Sequence, residues 1–114
     1  MADHIKIQKL NGRWSVRAAG AVIVETSSAV ELLEGDYKPV VYFPRDDIAM
    51  AFLDKTDKTS TCPHKGEATY YSIATKNGPV EDIAWSYETP VGGMAGIAGH
   101  MAFYPHEKLT IEQV

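Results

Sequence analysis

The chain has 114 residues, 45% of them hydrophobic and 23% charged, the proportions of an ordinary folded domain rather than a disordered or fibrous chain. Its 11 basic and 15 acidic side chains leave a formal charge of -4, shared evenly between the halves (7 basic against 9 acidic in residues 1–57, 4 against 6 in 58–114). This balance offers no cationic footprint for nucleic acid, and no apolar run approaches the roughly 20 residues of a membrane span.

The elements follow as short alternating runs separated by turn residues, the rhythm of a mostly β domain. Ile5 and Ile7 alternate with Lys6 and Gln8. Asn11-Gly12, a strong hairpin signal, leads into Trp14, Val16 and Ala18 on one face, with Arg13, Ser15 and Arg17 on the other. Ala19-Gly20 breaks the run, and 21–26 resumes as a strand apolar on both faces. Segment 27–34 matches a capping box closed by Gly35 but spans barely two turns, so a strand is expected. Residues 40–43 form a further strand, closed by Pro44. The acids of Arg45-Asp46-Asp47, followed by Ile48, Ala49, Phe52 and Leu53 at helical spacing, predict one short helix over about 46–54. Residues 55–61 read as a polar loop and 69–75 as a strand. Asn77-Gly78 is a second hairpin turn, and 80–87 returns with Ile83, Trp85 and Tyr87 on one face. The glycine-rich 90–99 reads as a plain loop, and 100–104 and 109–114 close a single domain over 1–114.

The chemistry-bearing stretch is Thr61-Cys62-Pro63-His64-Lys65-Gly66. It sets the one thiol beside an imidazole and an ammonium, and neighbouring cations stabilise a thiolate, the nucleophilic form. The competing reading is that Cys62 is a small core hydrophobe, as many free cysteines are. A lone cysteine closes no internal disulfide, and Met1-Ala2-Asp3-His4 has neither the basic start nor the apolar core of a secretory signal. A cytoplasmic home is therefore expected. Cys62 and His64 make a single C-x-H pair, short of the four ligands of a structural zinc site, so neither a metal nor a cofactor is expected. Arg17, Arg45 and Lys65 are scarce cations in an acidic chain; if they converge they make an anion pocket, and if not, Arg45 pairs with a nearby acid. Tyr42, Tyr71 and Tyr87 are candidate walls, having an apolar body and a hydroxyl. The Gly92–Gly99 run lacks the strand-before, helix-after context and the Gly-Lys-Ser/Thr of a phosphate loop.

Five blocks carry a resemblance: Trp14-Ser15-Val16-Arg17; Val41-Tyr42-Phe43-Pro44-Arg45-Asp46-Asp47; Cys62-Pro63-His64-Lys65-Gly66 with Tyr70-Tyr71; Glu81 to Tyr87; and Ala102-Phe103-Tyr104. The chain resembles the domain-of-unknown-function family 427, also labelled nucleotidyltransferase-like. The resemblance implies one small domain of strongly bent antiparallel sheets (tent-like, Mss4-like). It also implies that Arg17, Arg45, Cys62 and Lys65 work together. His64 stands where the family pattern has Tyr, so no obligatory base is implied there. The zinc held by some folds of that shape is not carried over, because the paired cysteines are missing. The nucleotidyltransferase label finds no Gly-Ser plus paired-Asp site here. The expectation is a protein that binds a small anionic metabolite, with no nucleic acid or membrane partner. As an enzyme, it would use Cys62 as nucleophile and Lys65 as thiolate stabiliser, with Arg17, Arg45, Tyr42, His64, Tyr71 and Tyr87 around the ligand. A non-catalytic binding module and a one-cysteine redox sensor are the alternatives.

Overall fold

The computed structural model describes residues 4–114; Met1 to Asp3, which enter the reading of the secretory signal, lie outside the described residues. Ten strands run in order: β1 (Ile5–Lys9), β2 (Trp14–Ala18), β3 (Ala21–Thr26), β4 (Val30–Glu34), β5 (Val40–Tyr42), β6 (Leu53–Cys62), β7 (Gly66–Ile73), β8 (Val80–Ser86), β9 (Met101–Phe103) and β10 (Leu109–Gln113). They form three antiparallel sheets with strand orders β1-β4-β5, β10-β2-β3 and β6-β7-β8-β9.

The four-stranded sheet has a core on each face, and the pleat decides which residue goes where. Tyr71, Ala84 and Phe103 are neighbours across the ladder and face one core, completed by Val16 of β2 and Val24 of β3. Tyr70, Trp85 and Ala102 are the alternate neighbours and face the other, completed by Ile5, Leu32 and Tyr42 of the β1-β4-β5 sheet. The 90–99 segment is more than a plain loop: it plugs this second core with Met94 (1% exposed) and Ile97 (0%), the latter in a 3₁₀ turn over Ala95–Ile97.

Two parts of the expected fold are corrected. There is no α-helix among the described residues. Over 46–54 the chain makes 3₁₀ turns at Arg45–Asp47 and Met50–Phe52, and Leu53 already begins β6. The helical spacing arises because Ile48 pairs with Val24 in an isolated bridge and Leu53 enters a strand, both feeding the same core. The sheets are also not strongly bent. The chain changes direction between three short sheets, at turns and loops, rather than by curling one sheet over itself.

Smaller differences share one cause. Asn11-Gly12 does not close a hairpin, because β1 pairs with β4 and β2 with β3 and β10; it carries the chain from one sheet to another. The β2–β3 turn is instead Ala19-Gly20, with φ of 48° and 86°, the left-handed pair a two-residue hairpin needs. The polar 55–61 segment is strand, part of β6, an edge strand with most side chains exposed. An edge strand facing water on both sides reads as a loop in composition.

Candidate functional site

The Cys62 motif is first of all a hairpin turn. Cys62 ends β6 and pairs with Gly66, the first residue of β7, and Lys65 N–H donates to the Cys62 carbonyl at 3.2 Å. Pro63 supplies the fixed φ suited to the second position of such a turn, and Gly66 supplies a φ of 108° that a residue with a Cβ strains to adopt. The Lys65 carbonyl accepts from Val91 N–H at 3.0 Å, which holds the 88–93 segment against the turn. Lys65, 8% exposed, turns its ammonium inward to donate to Glu34 Oε1 at 2.6 Å. The hydrogen bond from Lys65 holds the Glu34 carboxyl below its ordinary range against the opposing effect of burial, with His4 and His64 helping through their charge. His4 Nε2 lies 3.7 Å from Glu34 Oε2, and its ring meets that of His64 edge-on at 4.8 Å.

Cys62 itself is half-buried and free, packed on the second core. Tyr42 and Tyr87 are its electrostatic neighbours. Tyr42 is 1% exposed and accepts a hydrogen bond from Trp85 Nε1 at 3.1 Å; burial raises its phenol well above the usual value. Tyr87 is pushed up to about 12, by burial first and by Cys62 next. Both hydroxyls therefore stay protonated near neutral pH and can act as donors. Tyr87's has no hydrogen-bond partner among the described residues. Among the described residues the buried polar side-chain atoms left without a partner are Trp14 Nε1 and Ser15 Oγ.

Arg45 follows the end of β5 and the Pro44 turn, and four of its five guanidinium N–H donors are engaged. Nε donates to Gly99 O at 2.9 Å, Nη1 to Tyr71 Oη at 3.3 Å, and Nη2 to Ser86 Oγ at 3.2 Å and Glu88 Oε1 at 2.9 Å. Burial opposes the charge, yet the hydrogen bond with Tyr71 and the carboxylate of Glu88 hold Arg45 above its ordinary value. Tyr71 donates to the same Glu88 oxygen at 2.6 Å, and burial followed by that bond raises its phenol. A shallow hollow of about 350 Å³ opens beside Arg45, bordered by Asp46, Glu88 and His100.

Residues 6–114 match the family model described as a domain of unknown function (DUF427). The chain belongs to the DUF427 family. No curated protein matches it.

In this DUF427 chain the residues singled out from the sequence fall into three places. Cys62, His64, Lys65, Tyr42 and Tyr87 come together on the second-core side of the four-stranded sheet. Arg45 and Tyr71 lie at its other face, where Ser86 and Tyr71 point. Arg17 is exposed on β2, in a separate sheet, with no ion pair among the described residues. The three cations do not converge. Lys65 is committed to Glu34, and Arg45 is committed to Glu88 rather than to Asp46 or Asp47. The sequence reading missed Glu34, Glu88 and His4, each brought in by pairing across the fold from far along the chain. Among the described residues no group of three or more His, Cys, Asp or Glu side chains is placed to hold a metal ion, and no helix is long and apolar enough to cross a membrane.

Proposed function

We propose that the Cys62 cluster is the working site of this DUF427 chain and engages a small anionic metabolite, with Cys62 as nucleophile. The observation that carries this reading is a partly buried free thiol beside a neutral phenol, Tyr87, whose hydroxyl has no hydrogen-bond partner among the described residues. A phenol kept protonated near neutral pH is a donor for an oxyanion. The Lys65 ammonium and the Glu34 carboxylate balance, and the rings of His4 and His64 lie beside them. A free thiol at a surface turn suits the reducing cytoplasm, and the acidic chain argues against nucleic acid as the ligand.

The test needs no knowledge of the substrate. Native protein is alkylated with iodoacetate, which is anionic, and with iodoacetamide, which is neutral. In both reactions the Cys62 thiolate forms the S–C bond, the C–I bond breaks, and iodide leaves with its electron pair. The expected result is a ratio of iodoacetate to iodoacetamide rates at least several-fold above that of an unstructured peptide carrying the same Cys-Pro-His-Lys-Gly sequence. A ratio equal to the peptide's removes the anion site; alkylation far slower than the peptide's with both reagents removes the nucleophile.

The packing of Cys62 against the second core favours one alternative, a non-catalytic binding module in which the sulfur is only part of a wall. Cys62→Ser separates the two, since a binder keeps its ligand affinity and a nucleophile loses its reaction.

A further inference from the structure

β5 and β9 belong to different sheets but meet edge to edge at one bridge, with Phe43 N–H donating to Met101 O at 2.8 Å and Met101 N–H to Phe43 O at 2.9 Å. The ladder stops there. Neither Tyr42 and Ala102 nor Val41 and Phe103 form a bridge, and beyond them lie Pro39 and Pro105, which have no N–H to extend a ladder. Between the parted edges lies a cavity of about 450 Å³ whose lining draws on all three sheets: Val40 and Val41, Trp85 and Phe103, and Ile111. The ring of Tyr104, 39% exposed and tilted at 40° against Trp85 with ring centres 4.4 Å apart, adds an aromatic wall. Lys38 is the sole charged side chain of the lining; it is exposed and has no ion pair among the described residues.

We propose that this cavity is a second ligand site, independent of Cys62, and takes a small molecule with an aromatic body and one carboxylate. The volume falls within the roughly 300–1,000 Å³ of small-molecule sites. Apolar walls on three sides receive the ring system. Lys38, with no carboxylate in the lining to answer it, selects a negative head group.

The probe is 2-naphthoate, followed by the NMR methyl signals of Val40, Val41 and Ile111 and by tryptophan fluorescence. The expected result is saturable shifts centred on those methyls, unchanged in Cys62→Ser. Lys38→Glu should weaken naphthoate by roughly fivefold, the upper range for an exposed ion pair, and leave the neutral 2-naphthalenemethanol unaffected. Ile111→Trp should fill the cavity and abolish binding of both, with circular dichroism as the folding control. Lys38→Glu, at an exposed position, serves alone if Ile111→Trp does not fold. The proposal is overturned by an absence of shifts at millimolar probe or by shifts mapping elsewhere. Equal binding of naphthoate and 2-naphthylmethylamine also overturns it, as does concentration-dependent movement of the same methyls without ligand in a sedimenting dimer, which would mean that a second copy covers the cavity.

Discussion

Arg45 and Cys62 both sit where a strand gives way to a turn, each followed by a short run of polar residues, yet the fold treats them in opposite ways. Arg45 spends four N–H donors on Gly99, Tyr71, Ser86 and Glu88 and ties the end of β5 to the end of β8 and the loop after it. An arginine with four of its five donors engaged has no forked face left for a ligand. At Cys62 the tie is made by a neighbour instead. Lys65 and Glu34 satisfy each other, and the thiol and the Tyr87 hydroxyl make no side-chain hydrogen bond among the described residues. The contrast separates two arrangements of polar residues in one small chain: a saturated network that holds elements together, and a thiol and a phenol that, on the proposed reading, are available to a ligand.

The largest effect expected from breaking this contrast is at Arg45. Arg45→Ala leaves Tyr71, Ser86 and Glu88 without their common donor and should destabilise the protein by about 2–3 kcal/mol, in the range of hydrogen bonds to a charged group with discounting for partial exposure. Urea denaturation measures the loss. The alkylation ratio at Cys62 should stay unchanged in the folded variant. A fall in that ratio without loss of stability would instead join Arg45 to the Cys62 site.

How much of this was legible beforehand follows the range of the forces. Turn chemistry is local, so Asn77-Gly78 marks the β7–β8 connection, and the strand character of 27–34 follows from the failure of its helix to reach a useful length. Sheet partnership is not local. Nothing near Asn11-Gly12 shows that β1 will pair with β4, so a strong turn signal ends up joining two sheets. The 46–54 segment shows how one period imitates another, since Ile48 and Leu53 reach the same core from 3₁₀ turns and a strand start. At the site, the Cys62 motif is visible because its residues are consecutive. Its electrostatics are not, because Glu34 arrives from 31 positions away and takes Lys65 out of the pool of free cations.

A smaller effect sharpens the Lys65–Glu34 half of the comparison. Glu34's carboxyl is lowered in the folded state, so its contribution is complete above the unfolded carboxylate range of about 4.3 and is lost as pH falls through the folded value. Glu34→Gln removes that titration. The acid limb of a stability-against-pH curve should flatten relative to the parent, by at most about 1 kcal/mol given the carboxylate's contact with solvent. Identical acid limbs would show that the pair contributes nothing to stability. The site would then have a mobile Lys65 ammonium rather than one held away from the thiol.

The smallest effect on stability, and the sharpest on the proposed chemistry, belongs to Tyr87→Phe. The ring is 7% exposed and packs in the second core, and the substitution keeps it. The hydroxyl makes no bond to any described residue, so stability should change by less than about 0.5 kcal/mol, as for a substitution that leaves packing and hydrogen bonds in place. If that hydroxyl is the donor for an anionic ligand, the iodoacetate-to-iodoacetamide ratio at Cys62 should fall toward that of the free peptide while the iodoacetamide rate stays put. A merely structural tyrosine would move both rates together or neither. The separation of the two reagents therefore tests whether the unspent phenol acts on the ligand, as opposed to filling space beside the sulfur.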